Sequence, residues 1–262
     1  MRPVLEVQDL HQHYGAVHAL KGVSFQVLAG ECVALIGPNG AGKSTCFACL
    51  AGQQLAKQGS VTWRDQNLMH VPAESRRGMG VARTFQVAQV FEALSVFQNL
   101  QLALKAAPGV SMFDALDQCE VNTATAWLQK MGLDDLSHDA LHTPAMNLSY
   151  GAKKRLELAV AMAGLNDPQA GLLLLDEPAA GLSPTERADM MQRVKSLAKQ
   201  GTTVLYTEHN MDAVFGVADR VLVLMEGQLV AQGLPHEVAA NALVRERYLG
   251  ASLDALEFSD HA

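Results

Sequence analysis

Hydrophobic positions in this chain gather into short dense runs separated by polar, helix-like stretches. The runs are SFQVL at 24–28, CVALIG at 32–37, SVTW at 60–63, GLLLLD at 171–176, TVLYT at 203–207 and RVLVLM at 220–225. Several are continuous rather than alternating, as expected of parallel strands buried on both faces. A helical pattern follows three of them, from Ser44, from Thr185 and from Met211. Strand, helix and strand in repetition predict an α/β fold with a mostly parallel sheet.

The middle of the chain has a different pattern. From about Phe91 to Ala163 the β signal fades, and stretches such as FQNLQLALKAA and VNTATAWLQKMG carry helical periodicity. The organisation this predicts is an α/β core from 1–90 and 164–262, interrupted by a helical unit over 91–163. No tandem repeat or Pro/Gly/Ser linker divides the chain. The tail ASLDALEFSDHA is expected to be a short helix or a frayed end.

Composition narrows the class. Nearly half of the 262 residues are hydrophobic and 18% are charged, which is a globular balance. The formal net charge of -7 argues against wrapping nucleic acid, and no nucleic-acid partner is expected. Cys32, Cys46, Cys49 and Cys119 form no disulfide framework and suit a reducing compartment. The start MRPVLEVQDL lacks the apolar core of a signal peptide. Apolar stretches such as LAVAMAGL from Leu158 are far shorter than the roughly 18 residues of a spanning helix. A cytosolic protein is the expectation.

Candidate chemistry begins with GPNGAGKST, which fits G-x-x-x-x-G-K-[ST] between an apolar strand and a helix. Its residues, Gly37, Pro38, Asn39, Gly40, Ala41, Gly42, Lys43, Ser44 and Thr45, are candidate nucleotide-binding residues. Glycines let backbone N–H groups wrap phosphate oxygens, and the following helix N-terminus adds positive potential. Lys43 would reach the β- and γ-phosphates, and the Ser44 hydroxyl would ligate Mg²⁺. The strand GLLLLDEP ends in Asp176, a carboxylate at the sheet edge able to hold Mg²⁺ through water. Glu177 beside it can polarise water as a general base. In GLSPTE, Ser183, Pro184 and Glu186 read as N-cap, first helical residue and capping partner, a structural role.

One stretch is unusual. In LSYGAKKRLELA, Lys153, Lys154 and Arg155 stand in the first turns of a helix, where the macrodipole disfavours cations unless an anion compensates.

Together these residues resemble the nucleotide-binding subunit of an ABC transporter, from Tyr14 to about Gly250. GPNGAGKST matches the Walker A loop, LLLLDEP the Walker B strand with its catalytic glutamate, and AAGLSP the D-loop. Gln86 in RTFQ matches the Q-loop and His209 in YTEHNMD the switch histidine. LSYGA matches the signature that reads LSGGQ in the family at large.

The resemblance implies a RecA-like P-loop NTPase core with a mostly parallel sheet, an antiparallel β part and an inserted α-helical subdomain. It implies that Gln86 and His209 complete the catalytic site with Glu177, that Gln86 joins Ser44 and Asp176 at Mg²⁺, and that Tyr14 stacks on adenine. It further implies a second ATPase subunit, the same or different, paired head to tail. Ser149 and Gly151 would then face the γ-phosphate bound by the partner, so the anion is supplied in trans. Of the three cations, at least two are expected to form a solvated basic face. Tyr150 and Ala152 depart from the general motif.

RGMGVARTFQVAQVFEALSVFQNL, LDEPAAGLSP, the stretch from Glu208 to Gly233 and RERYLGA look like the larger ATPase of branched-chain amino acid importers. Two membrane permeases and, indirectly, a solute-binding protein are the partners this implies, with the chain peripheral on the inner face of the cell membrane. The lipopolysaccharide exporter ATPase is the nearest rival, urea or amide uptake is another substrate reading, and a soluble ABC ATPase of translation or DNA repair is the alternative from another class. Cys46 and Cys49 read as small buried helix residues, and His11 and His13 as surface or packing residues.

Overall fold

The computed structural model describes residues 2–105, 121–133, 142–165 and 167–250. Cys119 and the tail from 251 lie outside them.

Two sheets organise the chain. The six-stranded sheet contains β3 (Cys32–Ile36), β6 (Val81–Arg83), β7 (Leu172–Asp176), β8 (Thr203–Thr207), β9 (Arg220–Met225) and β10 (Gln228–Gly233), in the order β10-β9-β3-β8-β7-β6. Its pairings are parallel except the β9–β10 hairpin. The four-stranded sheet is antiparallel, in the order β2-β1-β4-β5, with β1 (Pro3–Tyr14), β2 (Val17–Leu28), β4 (Gln58–Trp63) and β5 (Gln66–Asn67).

The continuous apolar runs have a simple cause. Cys32, Ala34 and Ile36 of β3 face one hydrophobic cluster, while Val33 and Leu35 face another. In β7 the split is Leu173 and Leu175 against Leu172 and Leu174. One cluster lies between the two sheets and takes in α1 (Lys43–Leu50). The other takes in the helices of the opposite face. Each buried Leu or Val contributes about 1.5–3 kcal/mol of transfer free energy, so both faces must be covered.

Between 91 and 163 the described residues hold α3 (Val96–Lys105), α4 (Val121–Lys130) and α5 (Tyr150–Ala163), with one isolated bridge between Ser95 and Pro144. Leu100, Leu128 and Leu156 bring these helices into the second cluster. Helix α6 (Pro184–Lys199) opens on the expected capping box: Ser183 N donates to Glu186 Oε2 at 3.1 Å, and Glu186 N to Ser183 Oγ at 3.4 Å. Short helices α2 (Ala73–Gly78) and α7 (Met211–Phe215) precede β6 and follow β8, respectively.

Candidate active site

The loop between β3 and α1 is built by glycines with no substitute. Gly37 (φ +146°) and Gly42 (φ +104°) both lie in the left-handed region. A Cβ at Gly37 would stand 2.0 Å from Leu224 O, and one at Gly42 2.4 Å from Ala19 O. Ala41 N donates to Pro38 O at 3.2 Å, and Gly227 N to Ala41 O at 3.0 Å, which ties the loop to the β9–β10 turn. Gly42 at the N-cap offers α1 no side-chain acceptor, so the first-turn N–H groups are left for an anion. Lys43 is buried and donates from Nζ to Gly37 O at 2.6 Å and Pro38 O at 3.0 Å. Burial pushes its amine down, and the nearby Glu177 and Asp176 carboxylates pull it back up. Asn39, Gly40 and Ser44 are exposed at the same rim, with Thr45 half-buried behind them.

The parallel register brings the acidic residues to the same edge. Asp176 ends β7 opposite Thr207 of β8, whose hydroxyl donates to Asp176 Oδ1 at 2.9 Å. Asp176 Oδ2 pairs with Arg83 at 3.0 Å. Glu177 adopts φ +47°, a conformation uncommon for any residue but glycine. That turn aims its carboxylate between two neighbours: Oε1 meets His209 Nε2 at 2.8 Å, and Oε2 accepts from Gln86 Nε2 at 2.9 Å. Glu208, buried behind them, accepts from Ala179 N at 2.9 Å and from His209 N at 3.2 Å. Burial pushes the Glu208 carboxyl up, and these N–H groups pull it back.

Gln86, Glu177 and His209 are thus in contact, beside Asp176. The ABC transporter family model matches residues 20–180.

The chain belongs to the ABC transporter family.

Its ATP-binding cassette is similar to the high-affinity branched-chain amino acid transport ATP-binding protein LivG of Salmonella typhimurium, 37% identical over 95% of this chain and 98% of LivG. BraF of Pseudomonas aeruginosa, described in the same words, is 32% identical over the same shares. A solved nucleotide-free ATP-binding cassette from an ABC transporter superposes with a TM-score of 0.80 at 27% identity, covering 95% of this chain and all of the other. A cassette in its ADP conformation gives 0.80 at 28% identity with the same coverage. The expectation of an ABC-type, nucleotide-binding and ATP-hydrolysing α/β protein is borne out.

Within this cassette the signature stretch has neighbours of its own. Ser149 caps α5, its Oγ accepting from Ala152 N at 3.2 Å. Gly151 packs against Leu182 and Glu186, where a Cβ would stand 2.6 Å from Glu186 Oε1. Neither residue joins the Glu177 cluster. Tyr14 is exposed at the end of β1, and its hydroxyl donates to Gln54.

The solvated basic face is corrected by the geometry. Lys153 pairs with Glu92 at 2.7 Å. Lys154 is buried and donates to Phe85 O at 2.8 Å. Arg155 donates to Gly132 O at 3.0 Å. Each of the three cations is thus engaged by a carboxylate or carbonyl of this chain, with Lys154 buried and Lys153 and Arg155 part-exposed.

Several residues of the site were not singled out as site residues from the sequence. Thr207 holds both Asp176 and the Glu177 N–H, the latter at 3.0 Å. Arg83 neutralises Asp176, and Tyr248 lies beside the Gly37 N–H. Only a register of strands distant in sequence brings the first two there. Cys46 and Cys49 are buried on α1, as read. His11 pairs with Asp9 at 2.9 Å, and the His13 ring faces His18 across the β1–β2 hairpin.

The donor set at the sheet edge fits Mg²⁺: a serine hydroxyl (Ser44), an amide (Gln86) and a carboxylate (Asp176) are all hard oxygen donors. A carboxylate held by an imidazole and an amide, next to a phosphate-binding loop, can orient and deprotonate water.

Proposed function

We propose that this chain is the ATP-hydrolysing subunit of an importer of branched-chain or related amino acids. In this reading Gly37 to Thr45 cradle the ATP phosphates and Tyr14 stacks on adenine. Ser44, Gln86 and Asp176 would hold Mg²⁺, which when bound neutralises phosphate charge. Glu177 takes the proton from the attacking water, His209 steadies its carboxylate, and Gln86 closes the site. Ser149 and Gly151 serve the nucleotide of a second ATPase subunit. Residues 91–163 are read as the helical subdomain that presents them, set into a core of 1–90 and 164–262.

The observation that carries the chemistry is Glu177, clasped by His209 and Gln86 beside the Lys43 loop. The substrate class rests on the full-length similarity to LivG and BraF. The partners that go with it are a second ATPase, two permeases and an associated solute-binding protein, with this chain on the inner face of the membrane.

The test is purification of the tagged chain from gently solubilised native membranes. Two permeases and a second ATPase should travel with it, and the associated binding protein should take leucine in preference to urea. Recovery with ribosomes, DNA or a lipopolysaccharide exporter would overturn the reading.

A further inference from the structure

Helix α5 grips the loop carrying Gln86 at three points. Lys154 Nζ donates to Phe85 O at 2.8 Å. One oxygen of Glu157 accepts from the N–H groups of Phe85 and Gln89, both at 3.1 Å. The Tyr150 hydroxyl donates to the carbonyl of Gln86 itself at 3.3 Å. These three residues stand at i, i+4 and i+7 and so share one helix face. The loop they hold is otherwise open to solvent, with Gln86 and Val87 both exposed. From this fixed backbone the Gln86 side chain reaches Glu177.

Buried charge makes the grip specific. Lys154 is 3% and Glu157 4% exposed. Burial pushes the Lys154 amine down, and Glu157, ahead of Asp176, Glu208 and Glu177, pulls it back. Burial pushes the Glu157 carboxyl up, and the Gln89 and Phe85 N–H groups, then Lys154, pull it back. Apolar residues of similar volume would pack this interface at no cost in desolvation. They could not fix the register of three backbone groups, which directional hydrogen bonds do.

Tyr150 ties in the far side of the site. Its ring lies against Gly181 (φ +76°), where an added Cβ would stand 3.0 Å from Tyr150 Cε1. One side chain thus touches the Gln86 backbone and the turn that follows Glu177.

We propose that Tyr150, Lys154 and Glu157 are positioning residues for Gln86, so that this chain's own ATP turnover depends on the face of its signature helix. The inference rests on the proposed role of Gln86 in hydrolysis.

The test combines steady-state ATPase kinetics of the purified transporter complex with amide hydrogen exchange over 85–89. Glu157→Ala should speed exchange at Phe85 and Gln89 and lower kcat roughly tenfold with little change in KM for ATP. Glu157→Gln keeps an acceptor oxygen and should recover part of both. Tyr150→Phe removes one exposed hydroxyl, leaves the fold untouched, and should lower kcat severalfold. In a Gln86→Ala background neither Glu157→Ala nor Tyr150→Phe should lower kcat further, because the group they position is gone. Faster exchange with unchanged kcat, or losses that add to that of Gln86→Ala, would overturn the proposal. Gln86→Ala measured alone reports separately on the role of Gln86: full turnover there removes the foundation, whatever the grip does.

Discussion

Thr207 stands directly opposite Asp176 in the parallel register of β7 and β8, and its one hydroxyl serves both acidic residues. It donates to Asp176 Oδ1 at 2.9 Å and accepts from Glu177 N at 3.0 Å. A single side chain therefore sets the direction of Asp176 and anchors the left-handed turn at Glu177. Thr207→Val keeps the shape and removes both bonds. Leaving a buried N–H and a carboxylate oxygen unmatched costs about 1–3 kcal/mol each. The expected result is ATP turnover lowered by about tenfold or more, with the unfolding midpoint shifted by a few degrees. Kinetics and a denaturation curve on the same preparation check it.

The proposed roles of Glu177 and Lys43 separate cleanly by experiment. Glu177→Gln keeps the hydrogen-bonding shape between His209 and Gln86 but abolishes the base. Nucleotide should still bind, while turnover falls roughly 10²- to 10⁴-fold. Lys43→Ala removes the cation that spans the loop from Gly37 to Pro38. Nucleotide binding itself should then be lost. Equilibrium binding of labelled ATP to both variants distinguishes them; unchanged turnover in Glu177→Gln removes that residue from its role.

What could be read in the sequence follows the range of the forces involved. The strands at 32–36, 172–176, 203–207 and 220–225 were legible because burial on both faces writes itself as unbroken apolar residues. The Walker loop was legible because backbone wrapping demands glycine at fixed spacing. β1 was not, since its burial follows neither clean alternation nor a continuous run, and β6 is only three residues long. β10, half-exposed along the sheet edge, left no apolar run to read. The partners of Lys153, Lys154 and Arg155 were also hidden. Their contacts at Glu92, Phe85 and Gly132 arise from packing between segments far apart in sequence, which a local pattern of charges does not encode.

Arg76 shows the same principle in the core. Its side chain is 2% exposed and meets no carboxylate among the described residues. Instead it donates to Val71 O at 2.9 Å, to Cys49 O at 2.8 Å, and to Leu50 O and Leu68 O. Cys49 and Leu50 end α1, so the cation sits on the negative end of the phosphate-loop helix. Arg76→Met fills the space and abandons these carbonyls. A loss of about 3 kcal/mol or more in unfolding free energy is expected, from unmatched buried acceptors at about 1–3 kcal/mol each. Urea denaturation of the variant measures it.

Alkaline pH gives a last test of how tightly α1 is packed. Burial pushes the Cys49 thiol up from 9.0 to about 11, against a smaller downward pull from Arg76. Above pH 9 the unfolded chain ionises this thiol while the folded chain does not. The folded state then binds more protons, so stability falls as pH rises. The contribution of Cys49 is fully present below pH 9 and is lost as pH climbs through about 11. Cys49→Ala removes this one titration and leaves the lysines and other thiols in place. The stability difference between parent and variant should therefore hold constant from pH 7 to about 8.5. Between 9 and 11 it should move against the parent by up to about 1.4 kcal/mol per pH unit. Urea unfolding at half-unit steps reads this slope directly, and a flat difference across the window would mean that water reaches the sulfur.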